Sequence, residues 1–255
     1  MAEPIVAVTF DLWDTVFVDD SDEPKRAAKG LGTKVTSRKD LLLEVLGRHY
    51  PVTRVQVDEA YSANDEIFRH IWHEDFKTLT VENRIEMLLK DMDMKLPNAD
   101  LREVVRGWEE MEYEIPPDLA PGIGDALEAL AGKYSLGVIS DAIVSPGRVL
   151  RMILDHYGLK EFFGVFTFSD EIGASKPEPI VFTETIRKLG VRPDQAVHIG
   201  DRGHNDIQGP HKIGMKAILY TAVKPRPMEQ HQPDAVCEDY KDLPGILAEM
   251  SGEDA

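Results

Sequence analysis

Four polar motifs, far apart along the chain, carry side chains that could act together on an anionic substrate. Their chemically able members are Asp11, Ser140, Lys176, Asp201 and Asp206. A carboxylate can attack a phosphoryl group or an activated carbon, and water can cleave the resulting acyl phosphate or ester. A lysine ammonium can balance substrate charge and keep such a carboxylate ionised. These residue types therefore permit nucleophilic hydrolysis, provided that the fold brings them together.

Three of these residues are aspartates, a type suited to a metal site. Asp201 and Asp206 are about one helical turn apart and follow an apolar run, so we expect them to be neighbours. Clustered carboxylates repel one another unless a hard cation lies between them. Mg²⁺ prefers carboxylate and carbonyl oxygens in an octahedral array. If Asp11 joins the pair, the cluster is a magnesium site.

Each motif also has a purely structural interpretation. Asp11 could cap a turn, Asp201 and Asp206 could cap a helix, and Ser140 could cap a strand end. A lone lysine such as Lys176 is most often exposed to solvent. No single motif decides between these interpretations and a catalytic one, so the decision depends on whether the predicted elements bring the motifs to one place.

The elements around the motifs predict such a convergence. Ile5–Phe10 is a short run rich in valine and isoleucine, typical of a buried central strand of a parallel sheet, and Asp11 follows it. From about residue 119, apolar runs alternate with helical patterns, as in βαβ units. The runs are 135–140, 165–168, 196–199 and 217–220. In open α/β sheets, sites lie at the carboxyl ends of strands.

The segment between these parts has helical periodicity and little strand character. After a polar, proline-containing stretch at 19–24, predicted to be a loop, we expect four amphipathic helices. Ser37 is predicted to cap the first and Thr80 the third, and the fourth begins near Asn98. Consecutive prolines at 116–117 should end the helical segment.

The four motifs, in this order, resemble those of the haloacid dehalogenase superfamily of hydrolases and phosphotransferases. They are Asp11-Leu12-Trp13-Asp14-Thr15, Ser140 after Val138-Ile139, Lys176 in Ser175-Lys176-Pro177, and Gly200-Asp201 through Asp206. The resemblance spans the chain and implies an α/β fold, a doubly wound parallel-sheet (Rossmann-like) core with an inserted α-helical cap domain. The core would comprise residues 1–18 and 119–255, and the cap residues 19–118.

The resemblance also implies roles for individual residues. Asp11 would be the nucleophile, Lys176 a cation beside it, and Ser140 a hydrogen-bond donor to a phosphoryl oxygen. Asp11, Asp201 and the backbone carbonyl of Trp13 would coordinate Mg²⁺, with Asp206 in support. Asp141 stands where the family often has asparagine and is expected to contact substrate, as are Ser140 and Lys176. The expected reaction is metal-assisted hydrolysis of a small phosphorylated molecule through an aspartyl-phosphate on Asp11.

Trp13 departs from the phosphatase pattern. Phosphatases of the superfamily usually carry an aspartate there, as general acid for the leaving group. Its loss would cripple hydrolysis of alkyl phosphates, because general acid catalysis is typically worth about 10²–10⁴-fold. The leaving group could instead be a stable anion, as in acyl phosphates, anhydrides or aryl phosphates. Alternatively, a cap residue or Asp14 could donate the proton, although an extended segment would point Asp14 to the other face.

Two other functions stay open. Dehalogenases of the superfamily have an aromatic residue at the position of Trp13, and a halide leaves without a proton or a metal. The aspartates at 201 and 206 argue against that function, because dehalogenases do not need them. A catalytically weak phosphate-binding protein is the non-enzymatic alternative, and the complete set of motifs argues against it. Among the cap arginines at 26, 38, 54 and 69, the sequence gives no means of choosing a substrate clamp.

Composition limits the setting and the partners. The chain has 255 residues, 29 Lys plus Arg against 46 Asp plus Glu, and a net charge of −17, which disfavours nucleic acid and anionic membranes as partners. Its one cysteine, Cys237, excludes an intrachain disulfide and favours a cytoplasmic location. No apolar run approaches membrane-spanning length, and a signal peptide is not expected. The sequence predicts no oligomeric state.

Overall fold

The computed structural model describes residues 4–226 and 231–252. These residues form one parallel sheet whose strands, in chain order, are β1 Ala7–Phe10, β2 Ser135–Ser140, β3 Val165–Phe168, β4 Ala196–Gly200, β5 Lys216–Tyr220 and β6 Ala235–Cys237. Their spatial order is β3-β2-β1-β4-β5-β6, with every pairing parallel. This is the strand order of a doubly wound Rossmann-like sheet, whose order reverses between β1 and β4. The predicted fold class is confirmed.

The core lies on both faces of this sheet because successive side chains of a strand point to opposite sides. Val8, Phe10 and Val138 face one layer, which is built on the helices α7 Ile123–Leu130, α8 Gly147–His156 and α12 Leu243–Met250. Ala7 and Ile139 face the other layer, which is built on α10 Pro179–Leu189. Two short helices, α9 Ser169–Ile172 and α11 Gly209–His211, complete this part of the chain. The sheet is thus covered on both sides, and only its strand ends remain open for a site.

Six further helices lie between β1 and α7. They are α1 Asp22–Ala28, α2 Lys34–Gly47, α3 Arg54–Glu74, α4 Val81–Asp91, α5 Asn98–Glu109 and α6 Met111–Glu114. The helices α2 to α5 share an apolar cluster of their own, centred on Leu42, Val57, Ile85 and Trp108. The four predicted helices are present, with Thr80 capping the third as expected. The exact domain limits at residues 18 and 119 stay a prediction.

Two details of this helical segment differ from the prediction. The stretch 19–24 is not wholly a loop, because α1 begins at Asp22. Pro24 lies in the first turn of that helix, where no backbone N–H is needed for helical bonding. Helix α2 begins at Lys34, and Thr33 rather than Ser37 caps it by accepting a bond from the Thr36 amide. None of the helices in the described part of the chain combines the length and apolar character needed to cross a bilayer.

Candidate active site

Asp11 and Asp201 lie at the point where the strand order of the sheet reverses. Asp11 is the residue after β1, and Asp201 is the residue after β4. The Asp11 amide donates to the Ile199 carbonyl at 2.9 Å, which continues the ladder between the two strands up to the site. In doubly wound sheets this reversal opens a crevice beyond the strand ends. Two of the predicted aspartates therefore meet at the location that the fold makes available to a ligand.

Lys176 joins Asp11 to Asp206. Its Nζ lies 2.6 Å from Asp11 Oδ1 and 2.5 Å from Asp206 Oδ1, and all three side chains are buried. Burial acts to lower the pKa of Lys176, but the carboxylates of Asp11, Asp206 and Asp141 raise it above its ordinary value. Burial raises the pKa of Asp11 more than Lys176 lowers it. Burial would also raise the pKa of Asp206, but Lys176 and His198 hold it below the ordinary value.

Gly200 allows Asp206 to reach this cluster. A Cβ at Gly200 would lie 2.4 Å from Asp206 Cγ, a distance that Cβ atoms do not tolerate, so a glycine is required where the side chain crosses the end of β4. The Asp206 carboxylate accepts from the Arg202 amide at 2.9 Å and lies 3.3 Å from His198 Nε2. Residues Gly203–Gln208 form a π-helical turn that carries Asp206 back over the strand end. Local backbone geometry, together with Lys176, fixes this carboxylate.

The three aspartates form a group that suits a cation. Ligand oxygens of Asp11, Asp201 and Asp206 all lie within 4.8 Å of one another. Asp201 Oδ1 is buried and has no hydrogen-bond partner among the described residues, whereas Oδ2 accepts from Arg226 Nε at 2.5 Å. Burial, followed by repulsion from Asp206 and Asp11, raises the pKa of Asp201 to about 7. An orphaned buried oxygen beside two further carboxylates is the donor set that a hard divalent cation requires.

The two residues at the end of β2 differ in their contacts. The Ser140 hydroxyl is buried and has no hydrogen-bond partner within the described ranges, and Ser140 does not line the cavity above the site. Asp141 lines that cavity and accepts from the Lys176 amide at 3.0 Å and from Asn205 Nδ2 at 3.2 Å. Burial raises the pKa of Asp141 to about 6. Asp141 therefore ties the loops after β3 and β4 together, while the contact of the Ser140 hydroxyl with a phosphoryl oxygen stays a prediction.

The side chains of Trp13 and Asp14, which follow Asp11 closely in the chain, have different surroundings. Trp13 lines the cavity and packs against Phe17, with 5.8 Å between ring centroids. Asp14 is buried and has a left-handed backbone with φ of 54° rather than the extended one expected. That conformation costs an aspartate less than most other residues, because its short polar side chain can hydrogen-bond locally.

The Asp14 carboxylate is already occupied. It accepts from the Asp19 amide at 3.1 Å and pairs with Arg226 at 3.3 Å and Lys224 at 3.5 Å. Asp14 does not line the cavity, so the geometry gives no support to its predicted role as a proton donor. The Trp13 carbonyl as a metal ligand stays a prediction.

A cavity of about 1120 Å³ covers the site and extends to the helical segment. Asp11, Trp13 and Lys176 line one end, and Arg38 of α2 and Arg84 of α4 line the part formed by the helices. Of the four arginines considered as clamps, Arg26 is bonded to Gly32 and Ser37, and Arg54 is exposed beside Asp40 and Asp58. Arg69 lines the cavity but is exposed and paired with Asp65. Arg26 and Arg38 are both buried, but of these two Arg38 lines the cavity and Arg26 does not.

Sequence reasoning missed several residues around the site. His198 is buried and packs edge-on against Phe182, and it also contacts Asp206. Arg226 lies 25 positions after Asp201 in a loop that has no recognisable pattern. The sequence pattern did not mark Arg84 as a site residue either, because the amphipathic pattern of its helix indicates only packing within the helical segment. In contrast, Asn205 lies inside the fourth motif, and its spacing from Asp201 could have suggested a contact.

The comparison with a family profile shows which family the chain belongs to. Residues 59–220 match the profile of haloacid dehalogenase-like hydrolases, which is more than half of the chain. The chain belongs to this family. The matched segment includes Ser140, Lys176, Asp201 and Asp206, and the roles of these residues and of Asp11 stay predictions.

Individual relatives agree with this assignment. The chain is 32% identical over 139 residues to a glyceraldehyde 3-phosphate phosphatase of Methanopyrus kandleri, covering 54% of this chain and 56% of that protein. It is 25% identical over 166 residues to pyrophosphatase PpaX of Bacillus cereus, covering 64% and 76% respectively. Among solved structures, 2-haloacid dehalogenase from Pseudomonas syringae has a TM-score of 0.70 at 24% identity, covering 96% of this chain and 99% of that chain.

The alignments with curated relatives are partial. Three glyceraldehyde 3-phosphate phosphatases are matched over 56%, 37% and 50% of their lengths. This haloacid dehalogenase-like hydrolase therefore spans about half the length of those relatives or less. The structural neighbour, in contrast, corresponds over nearly its whole chain and supports the complete fold.

Proposed function

We propose that this protein is a Mg²⁺-dependent phosphatase that hydrolyses a small phosphorylated molecule through an aspartyl-phosphate on Asp11. The observation that carries the proposal is the cluster of three buried carboxylates within 4.8 Å, held by a buried lysine at the reversal point of the sheet. Metal-independent cleavage of carbon–halogen bonds has no need of Asp201 and Asp206. The phosphatase names of the relatives support the same conclusion.

The contacts of Asp11 suggest which oxygen attacks. Lys176 donates to Oδ1 at 2.6 Å, which leaves Oδ2 to form the bond to phosphorus. The phosphorus–oxygen bond to the leaving group then breaks, and the leaving oxygen takes the electron pair. A water molecule next attacks the aspartyl-phosphate, releasing inorganic phosphate and restoring the Asp11 carboxylate. Lys176 and the Ser140 hydroxyl stabilise charge on the phosphoryl oxygens as it develops.

The bound Mg²⁺ would supply charge neutralisation for the phosphoryl group. Asp11, Asp201 and Asp206 are the residues that would hold it, and Oδ1 of Asp201, which has no hydrogen bond among the described residues and only a 3.9 Å contact with Arg202 Nε, is the donor most in need of a cation. The cation also relieves the repulsion among the three carboxylates. The strand ends, Gly200 and Lys176 hold the carboxylates in a fixed geometry.

Mg²⁺ is expected to stabilise the fold, and Asp201→Asn is expected to remove that effect. A ligand present at about 100 times its Kd stabilises the native state by about 2.7 kcal/mol. Thermal unfolding with Mg²⁺ and with EDTA measures this difference. Asp194→Asn, which changes an exposed aspartate paired with Arg192, is the matched control and should keep the full effect. If Mg²⁺ stabilised Asp201→Asn as much as the wild-type protein, Asp201 would not be a metal ligand.

Trp13 limits the class of leaving group. Its indole cannot act as a general acid at the position where phosphatases of the family usually have one, and Asp14 is engaged by Arg226 and Lys224. The preferred substrates should therefore release a stable anion, as acyl phosphates, anhydrides and aryl phosphates do. A relative named as a pyrophosphatase agrees with an anhydride among them.

A substrate panel with and without EDTA tests the proposal. We expect Mg²⁺-dependent release of phosphate from acyl and aryl phosphates, slow release from alkyl phosphates, and no halide release from 2-haloacids. Phosphate release that persists in EDTA would overturn the Mg²⁺ dependence, whereas no turnover of any phosphate class by the Mg²⁺-loaded protein would overturn the phosphatase proposal. In the latter case a catalytically weak phosphate-binding protein is the better description.

A 2-haloacid dehalogenase is the second candidate, and Trp13 is the observation that favours it. An aromatic side chain lines the cavity beside Asp11 where a phosphatase would have an acid. A halide needs neither a proton nor a metal to leave. Halide release that is unaffected by EDTA would establish this function in place of the first.

We also infer that the cap comprises residues 19–118 and that the protein acts in the cytoplasm. Cap closure over the substrate would exclude bulk water, a role that lids often have. The buried free thiol of Cys237 is consistent with a reducing compartment. The net charge of −17 argues against nucleic acid and anionic membranes as partners.

A further inference from the structure

Arg38 is a buried guanidinium without a partner in the part of the chain that the structure describes. Only 6% of the residue is exposed, and it lines the cavity that also contains Asp11 and Lys176. Its Nε is buried and unbonded, and within residues 4–226 and 231–252 its guanidinium has no hydrogen-bond acceptor and no ion-pair partner. Buried arginines are normally paired, because an uncompensated charge out of water is strongly unfavourable. The position of Arg38 therefore calls for an anion supplied from outside the chain.

The packing of the helices holds Arg38 in place. Its backbone carbonyl accepts a hydrogen bond from Trp108 Nε1 of α5 at 3.0 Å, and Trp108 is buried in the apolar cluster of the cap helices. Tyr61 of α3 packs against Trp108 with 5.4 Å between ring centroids. These contacts fix the backbone of α2 at Arg38, so the guanidinium is not a freely moving surface group. Arg38 is pre-organised to receive a ligand.

A second buried arginine adds positive charge at the same end of the cavity. Arg84 is 4% exposed, lies over the Phe68 ring at 3.8 Å, and donates to the Ile143 carbonyl at 2.9 Å. Its Nε, like that of Arg38, has no partner among the described residues. Burial lowers the pKa of Arg84 to about 10, and the charge of Arg38 acts in the same direction. Two like charges that repel each other across a cavity favour an anion between them.

The other basic residues of this region are already paired. Lys34 contacts Asp20, Asp22 and Glu112 within 3.1 Å. Lys39 contacts Asp58 at 3.1 Å and lies over the Tyr61 ring. Asp65, the carboxylate nearest to Arg84, is 3.5 Å from it and is shared with Arg69. The unmatched positive charge of the cavity wall is therefore concentrated at Arg38, with Arg84 as its neighbour.

We propose that Arg38, assisted by Arg84, binds a second anionic group of the substrate while Asp11 attacks the first. The inference rests on the phosphatase function proposed above and narrows its substrates to those acyl phosphates, aryl phosphates and anhydrides that carry a carboxylate or a second phosphate group. A guanidinium binds either group through two parallel N–H···O bonds. The carboxylate or second phosphate fixes the molecule in a cavity of about 1120 Å³, which is large enough for a small metabolite.

Calorimetric titration of the Mg²⁺-loaded protein with phosphonates tests this proposal. The probes are phosphonoacetate and 3-phosphonopropionate, each compared with an alkylphosphonate of the same chain length, and methylenediphosphonate as the bisphosphate analogue. The wild-type protein should bind at least one probe that carries a second anionic group roughly 10- to 100-fold more tightly than the alkylphosphonate of the same chain length. Whether the carboxylate or the second phosphonate gives the larger ratio identifies the anionic group.

Arg38→Gln should reduce this ratio to near unity, and Arg54→Gln should leave it as in the wild type. The second variant makes the same change at an exposed cap arginine outside the cavity. Arg38→Gln breaks no ion pair among the described residues, so it should fold, and thermal unfolding verifies this. Arg38→Lys keeps the positive charge but cannot donate two parallel hydrogen bonds, so it should give an intermediate ratio. A wild-type ratio near unity, or a ratio that survives Arg38→Gln, would overturn the proposal.

The result is separable from the test of phosphatase activity. Hydrolysis of a simple aryl phosphate needs no second anion and reports on the reaction at Asp11. Turnover of that phosphate without any probe preference would overturn the Arg38 proposal alone. A preference that depends on Arg38, in a protein that hydrolyses no phosphate, would overturn the phosphatase proposal while retaining the anion site.

Discussion

Asp11→Asn is expected to reduce turnover of the best phosphate substrate by roughly 10⁴- to 10⁶-fold, the range seen when a covalent nucleophile is removed. An amide oxygen is too weak a nucleophile to form the bond to phosphorus, although it keeps the shape of the carboxylate. Steady-state phosphate release, measured with Mg²⁺ at saturating substrate, gives the factor. The same variant should form no acid-stable phosphoprotein intermediate in a rapid quench.

The variant should also remain folded. Burial raises the pKa of Asp11, so the ionised carboxylate is disfavoured in the native state and a neutral amide does not add to that cost. Lys176 keeps its contact with Asp206. Asp155→Asn, at an exposed carboxylate paired with Lys160, is the control and should retain wild-type turnover. Residual activity in Asp11→Asn within tenfold of the wild type would show that Asp11 is not the nucleophile.

Trp13→Asp is expected to raise the hydrolysis of alkyl phosphates by about 10²–10⁴-fold, the usual contribution of a general acid. The side chain faces the cavity beside Asp11, so a carboxyl there could protonate the departing alkoxide. Aryl and acyl phosphates should gain little, because their leaving groups need no proton. The ratio of alkyl to aryl kcat/KM therefore measures the effect independently of the concentration of active protein.

Trp13→Asn separates proton donation from the space that the substitution opens. Trp13 packs against Phe17 and adjoins the apolar core, so either substitution should lower stability by a similar amount. Asparagine matches aspartate in size but supplies no proton. An equal gain in both variants would mean that relief of steric crowding, rather than acid catalysis, limits the wild-type enzyme. An unchanged alkyl rate in a folded, Mg²⁺-binding Trp13→Asp variant would argue against a missing acid.

The core of the fold and the meeting of the motifs were predictable because both depend on short-range patterns. A run of buried β-branched residues defines each strand, and parallel pairing brings the carboxyl ends of the strands to one edge. Asp11 and Asp201 follow directly from this rule, as each is the first residue after its strand. Gly200 is likewise explained by the approach of Asp206. The roles of these residues in catalysis remain predictions for the experiments above.

Features that depend on long-range packing could not be predicted. Asp14 was expected in an extended segment, but it has a left-handed backbone, and its carboxylate faces Arg226, more than 200 positions away along the chain. The cap of α2 was placed at Ser37 because serine and threonine are equivalent as capping residues, and only the backbone conformation selects Thr33. Pro24 favours a loop in the sequence, because only the structure shows that it lies in the first turn of α1, where proline is tolerated.

The sequence was sufficient for the sheet, the family resemblance and the position of Asp11 after its strand, since these follow from local runs of residues and their order. Only the tertiary structure distinguished Arg38 from the other cap arginines, because all of them lie in similar amphipathic patterns. Burial in the cavity wall and the lack of a partner among the described residues set Arg38 apart, and both arise from how α2, α4 and α5 pack together. The placement of the aspartates at the strand ends is thus a property of local sequence, whereas the proposed anion site at Arg38 is a property of helix packing.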